Sequence, residues 1–421
     1  MTVSKTFCPV PFVHFYHRGH PVGKVCCMAD KKLMHHNSAS ETWTKSRLKN
    51  IRKDMLDNKS VADCLTCYKT EDLGGTSDRQ YYINKYKNIQ DTLNFNVTTG
   101  NIYEKPVDLD LRLSNLCNLG CRMCGPHYSS TLEKDLRKLP ELEDLQGFTG
   151  TDSNNGLSDV DINYLITENP NIRRIKFLGG EPTLMPEVYK ILDILIEKQR
   201  QPQIGITTNC TNLNKKFLKY LQYFKNTTIN MSIDGTGNTL EYIRHPVKYK
   251  IVKEHSRVMA SLATSTNINI VIQALNLHNL SEFIDFVMDV SSYSKTTVDR
   301  INSVIATYPN GVSPYYMPVG YRKQCIEKAL NNKNINHEMF GYTFKKELEK
   351  IYNSDKVLPI QEFLFRNMLF DQLRNTHMYN IMPDAREYIK ESINDIDKFG
   401  NHKGRLIAHY IDREIVNLLR G

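Results

Sequence analysis

Residues 114–130 read "SNLCNLGCRMCGPHYSS" and place Cys117, Cys121 and Cys124 within eight positions. Asn, Leu, Gly, Arg and Met separate the thiols, which is loop composition without a hydrophobic face. Three thiolates on one short loop can close around one metal centre, and three is one fewer than a structural zinc usually takes. A centre with an open ligand position is suited to chemistry. His127, spaced x2 from Cys124, could instead supply a fourth zinc ligand, so both readings stand on these residues alone.

Upstream, "VDLDLRLSN" (107–115) reads as a strand that ends at Asn115 and runs into the cysteines. Further strands are expected at 173–180, 203–209, 228–235, 267–276 and 300–306. Helical patterns occupy 129–139, 158–168, 186–199, 214–224, 239–263 and 279–290. Six strand-then-helix units in series argue for an α/β fold with a parallel sheet and helices outside. Such a curved sheet is a partial (β/α)6 barrel, whose active site lies at the C-terminal ends of its strands. The distinctive motifs fall at those ends. They are "GGEP" (179–182), "TTN" ending at Asn209, "SID" with Ser232 and Asp234, and Gln273 with Asn276. Polar side chains and bare glycine backbone there are poor core material and good material for a polar cofactor.

Four regions follow from the pattern. Residues 1–75 hold five of the ten cysteines. Within them, "FVHFYHRGHPVGKVCC" (12–27) reads as strand, Gly/Pro turn and strand. "SETWTKSRLKNIRKDMLDN" (40–58) reads as a helix with Ser40 as candidate N-cap, and "DCLTCYKTE" (63–71) follows. Residues 76–105 read as a linker with some helix, and 106–306 as the barrel, with an insertion rich in Gly, Asn and Asp at 140–157. Residues 307–421 begin with the loop "TYPNGVSPYYMP" and continue as a helical C-terminal region.

Hydrophobic residues make up 40% of the 421 and charged residues 24%, ordinary for a globular protein. No apolar run approaches the roughly 18 residues of a membrane span, and the first twenty residues lack the apolar core of a signal peptide. A cytoplasmic location is expected, with no membrane partner and with the cysteines as reduced thiols or metal ligands. The formal net charge of +9 is spread over amphipathic stretches, so it fits solvated helix faces and identifies no partner.

The spacing Cys117-x3-Cys121-x2-Cys124, followed 55 residues later by "GGEP", resembles the radical S-adenosylmethionine (radical SAM) enzymes. The resemblance implies that the three cysteines hold a 4Fe–4S cluster with one iron free of protein, where S-adenosylmethionine binds. Soft thiolates select such clusters. Reductive cleavage of the cofactor would give a 5′-deoxyadenosyl radical that abstracts hydrogen from a substrate. Gly179, Gly180, Glu181 and Pro182 match the segment that meets the cofactor's amino group. Asn209, Ser232 and Asp234 match polar strand ends near its ribose and carboxylate. Arg244 stands where relatives often hold a carboxylate-binding Arg, and Gln273 and Asn276 complete the set. Met123 replaces the usual aromatic residue before the third cysteine and can pack against a purine face. Cys210 follows "TTN" where relatives commonly have Gly, and Cys325 lies in a helical stretch; both read as buried thiols.

Cys8, the pair Cys26–Cys27, and Cys64-x2-Cys67 resemble the twitch half of the SPASM domain, a small α+β unit with a second, auxiliary iron–sulfur cluster. Relatives usually carry it after the barrel. The resemblance implies Cys8, Cys27, Cys64 and Cys67 as ligands, with Cys27 preferred to Cys26, and zinc on the same set is the rival. It also implies an electron donor such as flavodoxin or ferredoxin, and a peptide or protein substrate. RNA or nucleotide modification is a rival within the class. A zinc-stabilised nucleic-acid-binding module and an iron–sulfur electron carrier are rivals outside it; neither needs the GGEP and the polar strand ends.

Overall fold

In "DLDLR" the leucines Leu109 and Leu111 are fully buried, while Asp108, Asp110 and Arg112 fall on the opposite face of the strand. That two-residue alternation recurs through the molecule and decides how its sheet is built. The structure is a computed structural model that describes residues 5–17, 22–29, 33–34, 38–45, 47–87, 102, 104–142, 156–295 and 298–393. Nine strands are described: β1 (His14–His17), β2 (Val22–Lys24), β3 (Leu33–Met34), β4 (Asp108–Arg112), β5 (Arg174–Leu178), β6 (Gln203–Thr208), β7 (Thr227–Ser232), β8 (Ser265–Ile272) and β9 (Arg300–Ile305).

The chain forms two compact units. The first is drawn from residues 1–116, 150–207 and 216–227. In it β1, β4, β5 and β6 run parallel, with His14 opposite Asp108, Asp108 opposite Arg174 and Arg174 opposite Gln203. β2 and β3 add antiparallel strands outside β1, so this edge continues outward and does not close. The second unit comprises 117–149, 208–215 and 228–421. There β7, β8 and β9 run parallel, with Ser232 opposite Asn269 and Asn269 opposite Asn302. Seven parallel strands interleaved with helices make an open α/β architecture of the partial-barrel class. Each of the six expected barrel strands is present, and β1 is a seventh.

Parallel sheets covered on both faces are normally apolar throughout. Here each unit keeps one polar face. On β8, Thr266, Ile268, Ile270 and Ile272 are buried on one side. On the other, Asn267 donates to Asn230 at 3.2 Å and Asn302 donates to Asn269 at 2.8 Å. In the first unit, Arg174 bridges Asp108 at 2.8 Å and Asp110 at 2.7 Å. His14 (3.1 Å), Lys85 (3.0 Å) and the Tyr86 hydroxyl also bond Asp108. Burial acts to raise the Asp108 carboxyl, but the bonds from His14 and Arg174 outweigh it and hold the group well below the usual range.

The helices follow their strands. Pro186–Glu197 buries Val188, Ile191, Leu192 and Leu195 at helical spacing, and Leu280–Ser291 buries Phe283, Ile284, Phe286, Val287 and Val290. The 239–263 pattern forms two helices, Gly237–Ile243 and Tyr249–Leu262, because Pro246 between them has no N–H to donate. Ser40 lies inside the helix Ala39–Lys45 and is not its cap; Ser38 Oγ accepts from Glu41 N at 3.2 Å instead. The 40–58 pattern is likewise split, the second helix being Arg47–Leu56. Within 76–105, Asp78–Lys85 is helical behind a Ser77–Gln80 capping box. The segment 1–75 does not stand apart from the barrel strands, since β1 pairs with β4 in one unit. The 140–157 insertion falls largely outside the described residues. The C-terminal region contributes Val319–Leu330, Gly341–Tyr352, Ile360–Arg374 and Ala385–Ile393 to the second unit.

Candidate metal centre and cofactor site

The chain leaves β4 and reaches Cys117 through Ser114, Asn115 and Leu116. Gly180 N donates to Ser114 O at 3.1 Å and Glu181 N to Leu116 O at 2.7 Å. A Cβ on Gly180 would stand 2.2 Å from Leu116 O, and one on Gly179 (φ +124°) 2.8 Å from Ser114 O. Both glycines are therefore needed for the backbone of 114–116 to pack against them. Glu181 is fully buried, and its Oε1 accepts from Thr183 N at 3.2 Å and Thr183 Oγ1 at 2.7 Å, capping the turn Pro182–Leu184.

In the second unit the cysteine loop is tied at almost every residue. Cys117 N donates to Ser130 Oγ at 3.2 Å, and Thr131 Oγ1 donates to Cys117 O at 2.7 Å. Ser129 caps the helix Ser130–Leu136 while its hydroxyl donates to Leu119 O at 2.6 Å. Gly120 N donates to His245 O and Arg122 N to Ile243 O. From the helix Ile360–Arg374, Arg374 Nη2 donates to Gly120 O at 2.6 Å, and Arg366 Nη2 to Arg122 O, also at 2.6 Å. Arg122 itself is buried and pairs with buried Asp371 at 2.6 Å, with its guanidinium 3.7 Å from the centre of the Tyr242 ring. Sequence reading missed this fastening. Its one local sign is an arginine between Cys121 and Met123, since a loop with nothing behind it gives no reason to bury a cation.

Two side chains address the thiols. Asn209 Nδ2 lies 3.9 Å from Cys117 Sγ and 3.0 Å from Asn118 Oδ1. Arg244 Nη1 lies 3.9 Å from Cys121 Sγ, and its Nε donates to Asp234 Oδ2 at 2.7 Å. Asp234 and Arg244, both expected at the cofactor, thus meet each other. Asp234 Oδ1 also accepts from Val271 N at 2.8 Å. Burial raises the Cys121 thiol, and Arg244 works against that rise; burial and then Cys121 and Cys117 raise Cys124. Met123 and Ser232 are half-buried. Gln273 is fully buried, and Asn276, also buried, donates to Asp234 O and Val271 O and accepts from Gln273 N. Asn276 therefore serves as a brace of the β8 end. Cys210 is completely buried and Cys325 lies in the helix Val319–Leu330.

Cys8, Cys26, Cys27, Cys64 and Cys67 line one cavity of the first unit, together with Asp63, Asp78, Arg79 and Tyr82. Burial raises Cys8 far above the usual thiol range, with further repulsion from Cys64, Cys26 and Cys67. Cys64 is pushed up to about 11 by burial and then by Cys67. Cys27 is exposed at the rim of this cavity, and burial and then Asp78 and Asp110 raise its thiol while Lys176 works against the rise. All ten cysteines are free. A tetrahedral zinc with 2.3 Å bonds would set its sulfurs about 3.8 Å apart. Among the described residues, the group of three or more donors within 4.8 Å of one another is His14, Asp108 and Asp110, already held by Arg174, Lys85 and Tyr86, and neither cysteine set is so closely gathered. Soft thiolate donors on the tied 117–124 loop suit an iron–sulfur group.

Among the described residues no helix is long and apolar enough to cross a membrane. The chain is similar to the GTP 3',8-cyclase of Staphylococcus carnosus (strain TM300), 27% identical over 168 residues, which are 39% of this chain and 46% of that protein. It is also similar to the GTP 3',8-cyclase of Synechococcus elongatus (strain ATCC 33912 / PCC 7942 / FACHB-805), 25% identical over 195 residues, 43% of this chain and 51% of that one. The chain spans about half the length of the curated relatives it matches. Among solved structures, Streptococcus suis SuiB bound to S-adenosylmethionine aligns over 63% of this chain and 56% of its own, with 17% identity and a TM-score of 0.35. Residues 111–287, from the end of β4 through the helix after β8, match the Radical SAM superfamily, with Cys117, Cys121, Cys124 and the GGEP turn all inside the match. Over that span, which is less than half of its length, the chain is similar to the Radical SAM superfamily.

Proposed function

We propose that the protein cleaves S-adenosylmethionine reductively at a 4Fe–4S cluster held by Cys117, Cys121 and Cys124, and that the cleavage starts hydrogen abstraction from a substrate. The observation that carries this reading is the tied three-cysteine loop within a Radical SAM match. Such a cluster, when bound, would supply the electron for the cleavage and a binding place for the cofactor. The chain's own residues hold and tune it. N–H groups of Asn209 and Arg244 directed at Cys117 and Cys121 stabilise thiolate charge, which moves a cluster's potential. On the sequence resemblance, Gly179, Gly180, Glu181 and Pro182 receive the cofactor's amino group, and Asn209, Ser232, Asp234 and Arg244 its ribose and carboxylate. Gln273 stands with them, while Asn276 acts through the β8 end.

The cavity lined by the N-terminal cysteines supports an auxiliary iron–sulfur cluster on Cys8, Cys64 and Cys67. The sequence resemblance prefers Cys27 to Cys26 as its fourth ligand, and both line that cavity. A twitch-like arrangement favours a peptide or protein substrate, a cytoplasmic setting and a flavodoxin or ferredoxin as reductant. A second reading, a nucleotide substrate, is favoured by the curated relatives, which are GTP 3',8-cyclases.

The test is anaerobic reconstitution followed by dithionite and S-adenosylmethionine. Wild type should form 5′-deoxyadenosine slowly, and the Cys117→Ala/Cys121→Ala/Cys124→Ala variant should form none. A wild type that takes up no iron would overturn the proposal. GTP or a peptide pool that accelerates formation then identifies the substrate class.

A further inference from the structure

The helix Ile360–Arg374 lies beyond the Radical SAM match, yet it bonds the cysteine loop through Arg366 and Arg374. Arg366 donates through Nη2 (2.6 Å) and Nε (3.2 Å) to Arg122 O, the carbonyl between Cys121 and Met123. Arg374 Nη2 donates to Gly120 O at 2.6 Å, the carbonyl just before Cys121, while the same guanidinium is held by Asp135 at 2.7 Å. Asp371 and Asn367 take the Arg122 side chain, at 2.6 Å and 3.1 Å. Asp371 is itself fixed by Tyr242, Thr376 and Met378 N. Arg122, Arg366, Asn367 and Asp371 are all nearly fully buried. A Cβ on Gly120 would stand 2.7 Å from Arg374 Nη2 and would displace that guanidinium end.

We propose that this helix is the positioning element of the metal loop, with Arg366 and Arg374 as positioning residues that set the backbone on both sides of Cys121 and so the retention of the group its thiolates bind. The inference rests on the reading of 117–124 as the cluster loop. Buried carbonyls in a loop must be bonded, and charged donors give the stronger bonds. Cys121 is the middle ligand, and the two carbonyls that flank it are the ones the helix holds. Outer contacts to metal ligands typically matter by 10- to 100-fold in metal affinity.

The experiment compares reconstituted wild type with Arg366→Gln, Arg374→Gln, Arg374→Lys and Leu364→Ala, by iron release to an anaerobic chelator and by thermal melting. Leu364 is buried on the same helix and makes no polar bond to the loop, so its truncation reports loss of packing alone. Expected is iron release from the 117–124 set about 10- to 100-fold easier in both Gln variants. Arg374→Lys should recover part of the loss, and Leu364→Ala should lower the melting temperature without matching the iron loss. Gln variants that hold iron like wild type would overturn the inference, as would equal iron loss in Leu364→Ala at equal melting temperature. A wild type that binds no iron defeats the proposed function instead, so the two failures are distinguishable.

Discussion

Both cysteine sets use an arginine to hold the carbonyl before a cysteine, but they draw it from different distances along the chain. At the N-terminus, Arg79 Nη1 donates to Phe7 O at 2.7 Å, next to Cys8, and Arg79 is itself paired with Glu71. Tyr68 donates to Thr6 O at 2.9 Å. Those partners lie 72 and 62 positions away, within one contiguous stretch. Around Cys121 the equivalent donors, Arg366 and Arg374, are 244 and 254 positions from the carbonyls they hold. The first set is shaped by its own neighbourhood; the second is shaped by the completed unit. The difference teaches that the loop whose cysteines are closest in sequence is the one that depends most on distant residues.

The largest effect expected from this contrast is a clean partition of iron. Cys8→Ala/Cys64→Ala/Cys67→Ala should lose the iron of the first unit, retain that of the 117–124 set and keep 5′-deoxyadenosine formation. Single Cys27→Ala should share the loss and Cys26→Ala should not. Iron analysis with electron paramagnetic resonance of each reduced variant decides it. If the triple variant loses both signals, the two sets are not independent and the contrast fails.

Next in size is Asp371→Asn, which leaves the buried Arg122 guanidinium without its counter-charge. Removing one partner of a buried pair costs about 3–5 kcal/mol. Urea titration should show that loss together with weakened iron retention at 117–124, while the N-terminal set keeps its iron.

Smaller still is a pH effect confined to the second unit. Burial lowers His278 to about 4, and its Nε2 bonds Thr239 Oγ1 at 3.0 Å. The unfolded chain binds this proton with a pKa near 6.5, so it gains protons first as pH falls. Stability is full above about 6.5, falls as pH drops toward about 4 and falls no further from this group below that, by at most about 3 kcal/mol in all. His278→Gln should flatten that part of the stability–pH curve, measured by melting between pH 7 and 4.

The strands were legible because apolar residues alternate along them and because each ends in a polar motif, as at Asn115, Gly179, Asn209 and Asp234. The cysteines stood out by their spacing, and only the family resemblance sorted them into ligand sets. The glycines of GGEP were read as a cofactor-binding segment, and the backbone that packs against them is that of 114–116. Ser38 was missed in favour of Ser40 because both precede the same helical pattern, and only the bond to Glu41 N separates them. The fastening of Arg122 by Asp371 was beyond local reading, since no pattern links residues 249 positions apart. The pairing of β1 with β4 was hidden for the same reason: a four-residue strand carries no mark of which neighbour it will take.

The distance between Arg122 and Asp371 also sets an order of events when the protein is made. Synthesis proceeds at roughly 5–20 residues per second, so the 249 residues between them take roughly 12–50 seconds to emerge. For that interval Cys117, Cys121 and Cys124 are already outside the ribosome without Arg366 and Arg374 to hold their loop, whereas the residues from Thr6 to Arg79 have all emerged. The bonds of Tyr68 and Arg79 beside Cys8 can thus form early in synthesis, whereas the bonds of Arg366 and Arg374 around Cys121 can form only after residue 374 has emerged.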